Sequence, residues 1–240
     1  MEGRRFLLLA GFGLATLKKP IGAAAADFHS TNFPTTENPI SDGGRWLNGG
    51  TTGLDWRDVQ TANGFAQQVG PEGTYNDATA ILKGLFPADQ FAQATVYRPA
   101  VDPNFQQEFQ LRLRTTITGH SITGYEILFG GSGLQIVRWN GPLGNFDYLT
   151  VNGNTNFGVA HGDVVRVQMV GNTITVSRNG VQVVTATDTV YTSGAPGVGF
   201  SGNNPSPTPS LLFGFSSFMS SDSSSGTNPA PTAPAGLVTR

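Results

Sequence analysis

The stretch "GNTITVSRNGVQVVTATDTVYTSGAPGVGF", residues 171–200, decides the fold class. Thr173, Thr175 and Ser177 alternate with Ile174 and Val176, and the run halts at Asn179-Gly180 before a second β-rich run, Val181–Thr187. Alternation with period two is the signature of a strand that buries one face. Asn-Gly between two such runs signals a hairpin, because both central residues of a type I′ turn need positive φ. Tyr191–Phe200, rich in small residues, reads as a loop after the second strand.

Working outward, the same pattern recurs. "DVVRVQMV" (163–170) turns at Gly171-Asn172 into "TITVSR" (173–178). In "NFQQEFQLRLRTT", Phe109, Leu111 and Leu113 alternate with Gln110, Arg112 and Arg114. "GYEILFGG" (124–131) and "LQIVRWNG" (134–141) join at Gly131-Ser132-Gly133, and "FDYLTVN" (146–152) follows Gly144-Asn145. "DWRDVQTANGFAQQV" (55–69) reads as two short strands about Ala62-Asn63-Gly64, "DQFAQATVYR" (89–98) as one, and "LLFGFSSFMS" (211–220) as the last. The mature start adds strand-like Phe28 and Phe33. About ten to thirteen short strands with frequent turn signals describe a sandwich or jelly roll. No segment has a helical period, and no internal repeat aligns.

Composition agrees. Charged residues are 12% of the chain, about half the usual share of roughly 25%. Gly (32) and Pro (15) are abundant, which disfavours helix and favours strands joined by turns. The chain has no cysteine, which excludes disulfides, thiolate metal sites and a Cys nucleophile.

Residues 1–26 read as an export signal. Arg4-Arg5 precede an apolar run, Phe6–Leu17, that ends before Ala23–Ala26. The run is shorter than the about 20 residues a membrane span needs. The arginine pair suits a twin-arginine signal, and an ordinary secretory signal is equally open. The expected location is therefore extracellular or periplasmic. Without residues 1–26, ten basic residues face fifteen acidic ones, and the net charge moves from −2 to −5. Lys83 is then the only lysine. Nucleic acid and anionic membranes are poor partners for such a surface. Residues 220–240, rich in Ser, Pro, Thr and Gly, read as a flexible tail, so the domain is expected to span 27–219.

Four pieces in order, "TENPISDGGRW" (36–46), "DVVRVQMVGNTITVSRNGVQVVTATD" (163–188), "YTSGAPGVGF" (191–200) and "FGFSSF" (213–218), resemble the concanavalin A-like lectin/glucanase superfamily, in particular the secreted laminin-G-like jelly rolls. The resemblance covers about residues 28–219. It implies a two-sheet antiparallel sandwich with a glycan site on the exposed concave sheet. It also admits a structural Ca²⁺. Oxygen donors in "DTVYTSGAPG" and "NGNTNFG" suit such an ion, and the same residues are ordinary in turns. The fold hosts lectins, hydrolases, lyases and adhesion modules, so it does not name a function.

Catalytic signatures are sparse. The Glu-x-Asp-x-Glu strand of the jelly-roll glucanases, which sets two carboxylates about 5–5.5 Å apart, is absent. Glu108 and Glu126 stand alone in their strands and read as solvated charges. The Arg-rich "QEFQLRLR" is faintly like a strand of the alginate-type lyases, whose His and Tyr strands are missing here. His29, His120 and His161 are scattered, with His120 and His161 in turn-like segments. No Gly-x-Ser-x-Gly elbow occurs.

Binding needs less. Gln110, Arg112 and Arg114 alternate on one strand, with Glu126 and Arg138 on its neighbours. Planar polar groups of this kind suit sugar hydroxyls and carboxylates. Trp139 or Tyr148 could stack on a sugar ring, while Trp46 and Trp56 read as packing. The expectation is a secreted, non-catalytic polysaccharide-binding sandwich with no cofactor. Two alternatives remain open: a polysaccharide lyase or glycoside hydrolase on the same fold, and a structural or adhesive surface module.

Overall fold

The computed structural model describes residues 29–69, 77–100, 107–130, 133–150, 158–202 and 213–223. The expected export signal and most of the tail lie outside them. In chain order the strands are β1 (His29–Thr31), β2 (Trp46–Asn48), β3 (Val59–Ala62), β4 (Phe65–Gln68), β5 (Asp77–Leu82), β6 (Gln90–Tyr97), β7 (Gln107–Thr118) and β8 (Ser121–Phe129). There follow β9 (Leu134–Gly141), β10 (Phe146–Tyr148), β11 (Val164–Val170), β12 (Thr173–Arg178), β13 (Val181–Thr187), β14 (Ala195–Gly202) and β15 (Gly214–Asp222). A single helical turn, α1 (Gly49–Thr52), is the one helix among the described residues.

The strands form two antiparallel sheets. One has the order β13-β12-β11-β6-β15-β4-β3, with β1 also paired to β15. The other runs β10-β9-β8-β7-β14-β5-β2. The hairpin expected at Asn179-Gly180 is present, with φ of 52° and 79° at the two residues. The core between the sheets is the apolar set read from alternation. Phe109, Leu111, Leu113, Ile127 and Phe129 meet Ala92, Ala94, Val96, Val165, Val167 and Met169. Each fully buried large side chain contributes about 1.5–3 kcal/mol, so this layer is the main source of stability.

Three expectations change. Ala195–Gly202 is not a loop but β14, a strand with β7 on one side and β5 on the other. It looks like a loop in sequence because its glycines face large side chains: a Cβ at Gly199 would collide with Gln110 Oε1 and sit 3.1 Å from Arg112 Nη2. The sandwich also extends past residue 219. Ser220, Ser221 and Asp222 pair with Ala92, Phe91 and Gln90, and Ser220 is buried. Third, β5 ("DATAIL") and β2 escape the pattern, because both are buried on both faces or very short.

Candidate functional site

Strand pairing fixes which side chains share the outer face of the seven-stranded sheet. Arg112 on β7 pairs with Glu126 on β8, and Glu126 with Val137 on β9. Two residues along, Trp139 pairs with Phe146 on β10, and Val137 with Tyr148. Partners directly opposite point the same way, so Gln110, Arg112, Glu126, Trp139, Phe146 and Tyr148 lie on one face. Glu108 joins them by period two, and Asp77 of β5 reaches across to accept a 2.8 Å hydrogen bond from Gln110 Nε2.

A second apolar cluster closes over much of this face. Leu54, Trp56, Ile81, Ile117, Ile122, Val137 and Trp139 pack together outside the main core. Trp56, delivered by the segment after α1, lies with its ring centroid 4.8 Å from Arg112 Cζ and 4.8 Å from the Trp139 ring. Beneath it, Arg112 Nη2 sits 3.0 Å from Glu126 Oε2 and donates to Gln110 Oε1 at 2.7 Å. Trp139 Nε1 donates to the same Glu126 oxygen at 2.8 Å. Gln110, Arg112, Glu126 and Trp139 are all buried. Glu126 and Glu108 are therefore not the solvated charges that the sequence suggests. Burial pushes the Glu126 carboxyl up against the pull of Arg112. Glu108 is pushed up to about 7 by burial and by the neighbouring charges of Asp77 and Glu126.

Aromatic rings step from this buried pair to solvent. Trp139 and Phe146 are 4.9 Å apart, Phe146 and Tyr148 5.3 Å, and Tyr148 at the end is 56% exposed.

Arg114 and Arg138 leave the row. A bulge between Leu113 and Thr116, with φ of 46° at Arg114, turns that side chain away from Arg112. Its guanidinium donates to the carbonyls of Ala88, Tyr191 and Gly171, at 2.7, 2.9 and 2.7 Å. Arg114 thus clamps three loops at one end of the sandwich. Arg138 pairs with Tyr125 and so faces the opposite side of the sheet from Trp139. Its nitrogens donate to Asn140, Asp147 and Asp188. Asp188 also accepts from Tyr125 Oη at 2.7 Å. Burial alone would raise the Asp188 carboxyl, but the Val190 N–H, the Tyr125 hydroxyl and the Arg138 guanidinium outweigh it and hold it below the usual range.

Among the described residues no three His, Asp or Glu side chains converge to hold a metal ion. Asp188, one of the oxygen donors in "DTVYTSGAPG", accepts from Arg138 and Tyr125. The other donor stretch lies almost wholly outside the described residues. His120 sits in the β7–β8 turn with φ of 58°, its Nδ1 2.8 Å from Asp55.

Sequence reasoning missed Asp77, Glu108, Trp56 and Phe146 as members of this face. Glu108 had a usable signal, since residues 108, 110 and 112 alternate with the core. Trp56 had none, because it arrives from a segment distant in sequence.

No protein-family model matches the chain, and no curated protein is significantly similar to it in sequence. Solved structures do match. Carbohydrate-binding module CBM66 from Bacillus subtilis aligns at 10% identity and a TM-score of 0.50, over 74% of this chain and 92% of that one. Porphyranase B from Zobellia galactanivorans gives 10% identity and 0.49 over 80% and 90%. The kappa-carrageenase of Pseudoalteromonas carrageenovora gives 11% and 0.45 over 86% and 99%. At such identity the likeness speaks to architecture. The CBM66 match, together with the two packed antiparallel sheets, shows a two-sheet jelly-roll sandwich fold.

Proposed function

We propose that this chain is a secreted, non-catalytic module that binds polysaccharide on the outer face of its seven-stranded sheet. The observation that carries the reading is the graded aromatic row Trp56–Trp139–Phe146–Tyr148, which begins over a buried ion pair and ends in an exposed phenol ring. A ring held rigidly by its neighbours and presented to solvent is a sugar-stacking platform with little ordering cost. Gln110, Arg112 and Glu126 support that platform from below rather than touching the polymer. The Arg4-Arg5 leader supports export, and the fold's frequent use as a lectin scaffold supports a glycan partner.

Glu126 argues against catalysis. A glycosidase needs two carboxyl groups flanking the bond to be cleaved. Glu126 is buried and accepts from both Trp139 and Arg112. One observation favours hydrolysis instead: Glu108 lies on the same face as Gln110 and close to Asp77, and burial pushes its carboxyl up to about 7, the range a general acid needs. Native gels cast with neutral and uronate polysaccharides, paired with assays for reducing ends and unsaturated uronate, separate the readings. Retardation without new ends supports binding. Cleavage that disappears in Glu108→Gln overturns it. Silence across the panel shifts the assignment to a structural module.

A further inference from the structure

The two sheets differ sharply in charge. Among the described residues, the seven-stranded sheet carries Asp77, Glu108, Arg112, Arg114, Glu126, Arg138 and Asp147. The eight-stranded sheet carries only Arg166, Arg178 and Asp222, the last two at strand ends. Exposed faces of antiparallel sheets in soluble proteins are ordinarily rich in charge. The outer face of this one is mainly amides and hydroxyls, interrupted by Phe91, Arg166 and Tyr97. Register places Thr185, Thr175, Gln168 and Phe91 in one row across four strands, and Gln93 next to Arg166 in the row beside it.

Its single cation is withdrawn from solvent. The Arg166 guanidinium lies 3.6 Å from the centroid of the Phe91 ring and donates to Gln168 Oε1 at 3.2 Å. Burial pushes its ionisation down to about 10. Thr95 accepts from Ser217 Oγ at 2.7 Å, which fixes both hydroxyls. Tyr97 stacks on Phe65 with centroids 4.2 Å apart and planes 16° apart. The strand between them, β15, contributes Gly214, where a Cβ would collide with the Ala66 carbonyl. The missing side chain is what lets the two rings meet. Tyr97 thus presents a braced, half-exposed ring on the same face.

We propose that this outer face is a second binding surface, which takes the flat face of an insoluble, neutral, polyhydroxylated polymer. Hydroxyl and amide side chains each offer donors and acceptors, as sugar hydroxyls do. Side chains on one face repeat about every 4.8 Å across strands and about every 6.8 Å along them. That array suits an extended surface rather than one sugar in a pocket. With one half-buried cation and no acidic side chain among the described residues of its outer rows, the face offers little to ion pairing, so binding is insensitive to salt. The surface is separate from the Tyr148 row and stands whether or not that row binds glycan.

The test is sedimentation of the purified protein with microcrystalline cellulose, crystalline chitin and insoluble mannan, at low salt and in 1 M NaCl. Every protein tested carries Tyr148→Ala, which removes the first surface from the measurement, and the expected result is co-sedimentation with at least one polymer, unchanged by salt. Thr95→Glu/Thr175→Glu and Thr95→Lys/Thr175→Lys should each weaken it about tenfold, because either sign of charge must be desolvated on docking. Urea midpoints confirm that both variants remain folded. No co-sedimentation with any of the three polymers, or loss in salt, overturns the proposal. So does a dimer in sedimentation equilibrium that both double variants dissociate, since the face would then be an interface between copies.

Discussion

Arg112 and Glu126 face each other across β7 and β8, Nη2 to Oε2 at 3.0 Å, on the outside of a sheet yet out of reach of water. Two charges so placed are worth little net stability as a pair, but each depends on the other. Arg112→Met or Glu126→Met should cost about 3–5 kcal/mol, because the surviving charge stays buried. Arg112→Met/Glu126→Met should cost less than either single change. Urea denaturation of the four proteins forms the cycle, and additive losses would show that the pair is not coupled.

Arg114 is predicted to hold the loops at one end of the sandwich through three carbonyls. Arg114→Ala should lose about 3 kcal/mol or more. Arg114→Lys should recover less than half of that, since one ammonium cannot span three acceptors set out for a planar fork. Hydrogen exchange at Gly171 and Tyr191 should quicken in both variants. Full rescue by lysine would reduce the role of Arg114 to charge alone.

Glu108 gives a pH prediction. Its carboxyl rises from 4.5 to about 7 on folding, so the folded protein keeps a proton that the unfolded chain has released. Stability from this group is therefore full below about pH 4.5 and is lost as pH climbs to about 7. His29 works the other way in the same range, because burial holds it below 6.5. It is common to both proteins, so the difference between Glu108→Gln and the parent isolates Glu108. That difference should grow in favour of the glutamine variant from pH 4.5 to pH 7, reaching about 1–3 kcal/mol. A difference that stays flat with pH contradicts the cluster with Asp77 and Glu126.

The fold was legible wherever one face of a strand is buried. Phe109, Leu111 and Leu113 announce β7, and Asn179-Gly180 announces the β12–β13 hairpin. β14 was illegible because its composition answers to neighbours. Gly199 makes room for Gln110 and Arg112 and Gly197 for the Ala80 carbonyl and Ile81, and no local rule reads that need. The candidate site was half legible. Alternation put Gln110, Arg112 and Glu126 together, but it grouped Arg138 with them where the register puts Trp139. It could not show that Trp56 would cover them, nor that a one-residue irregularity would send Arg114 elsewhere. Arg138 and Trp139, adjacent in sequence, could never share a face.

The central claim rests on Tyr148, the exposed ring at the end of a row that begins with buried Trp56 and Trp139 and passes through half-buried Phe146. The measurement that tests it is titration calorimetry of the parent and Tyr148→Ala with whichever soluble polysaccharide retards the protein in native gels. Loss of a stacked ring should weaken binding about tenfold or more, with the urea midpoint unchanged because the side chain is mostly in solvent. Equal affinity in the two proteins would contradict the account and remove the outer face of the seven-stranded sheet as the glycan site.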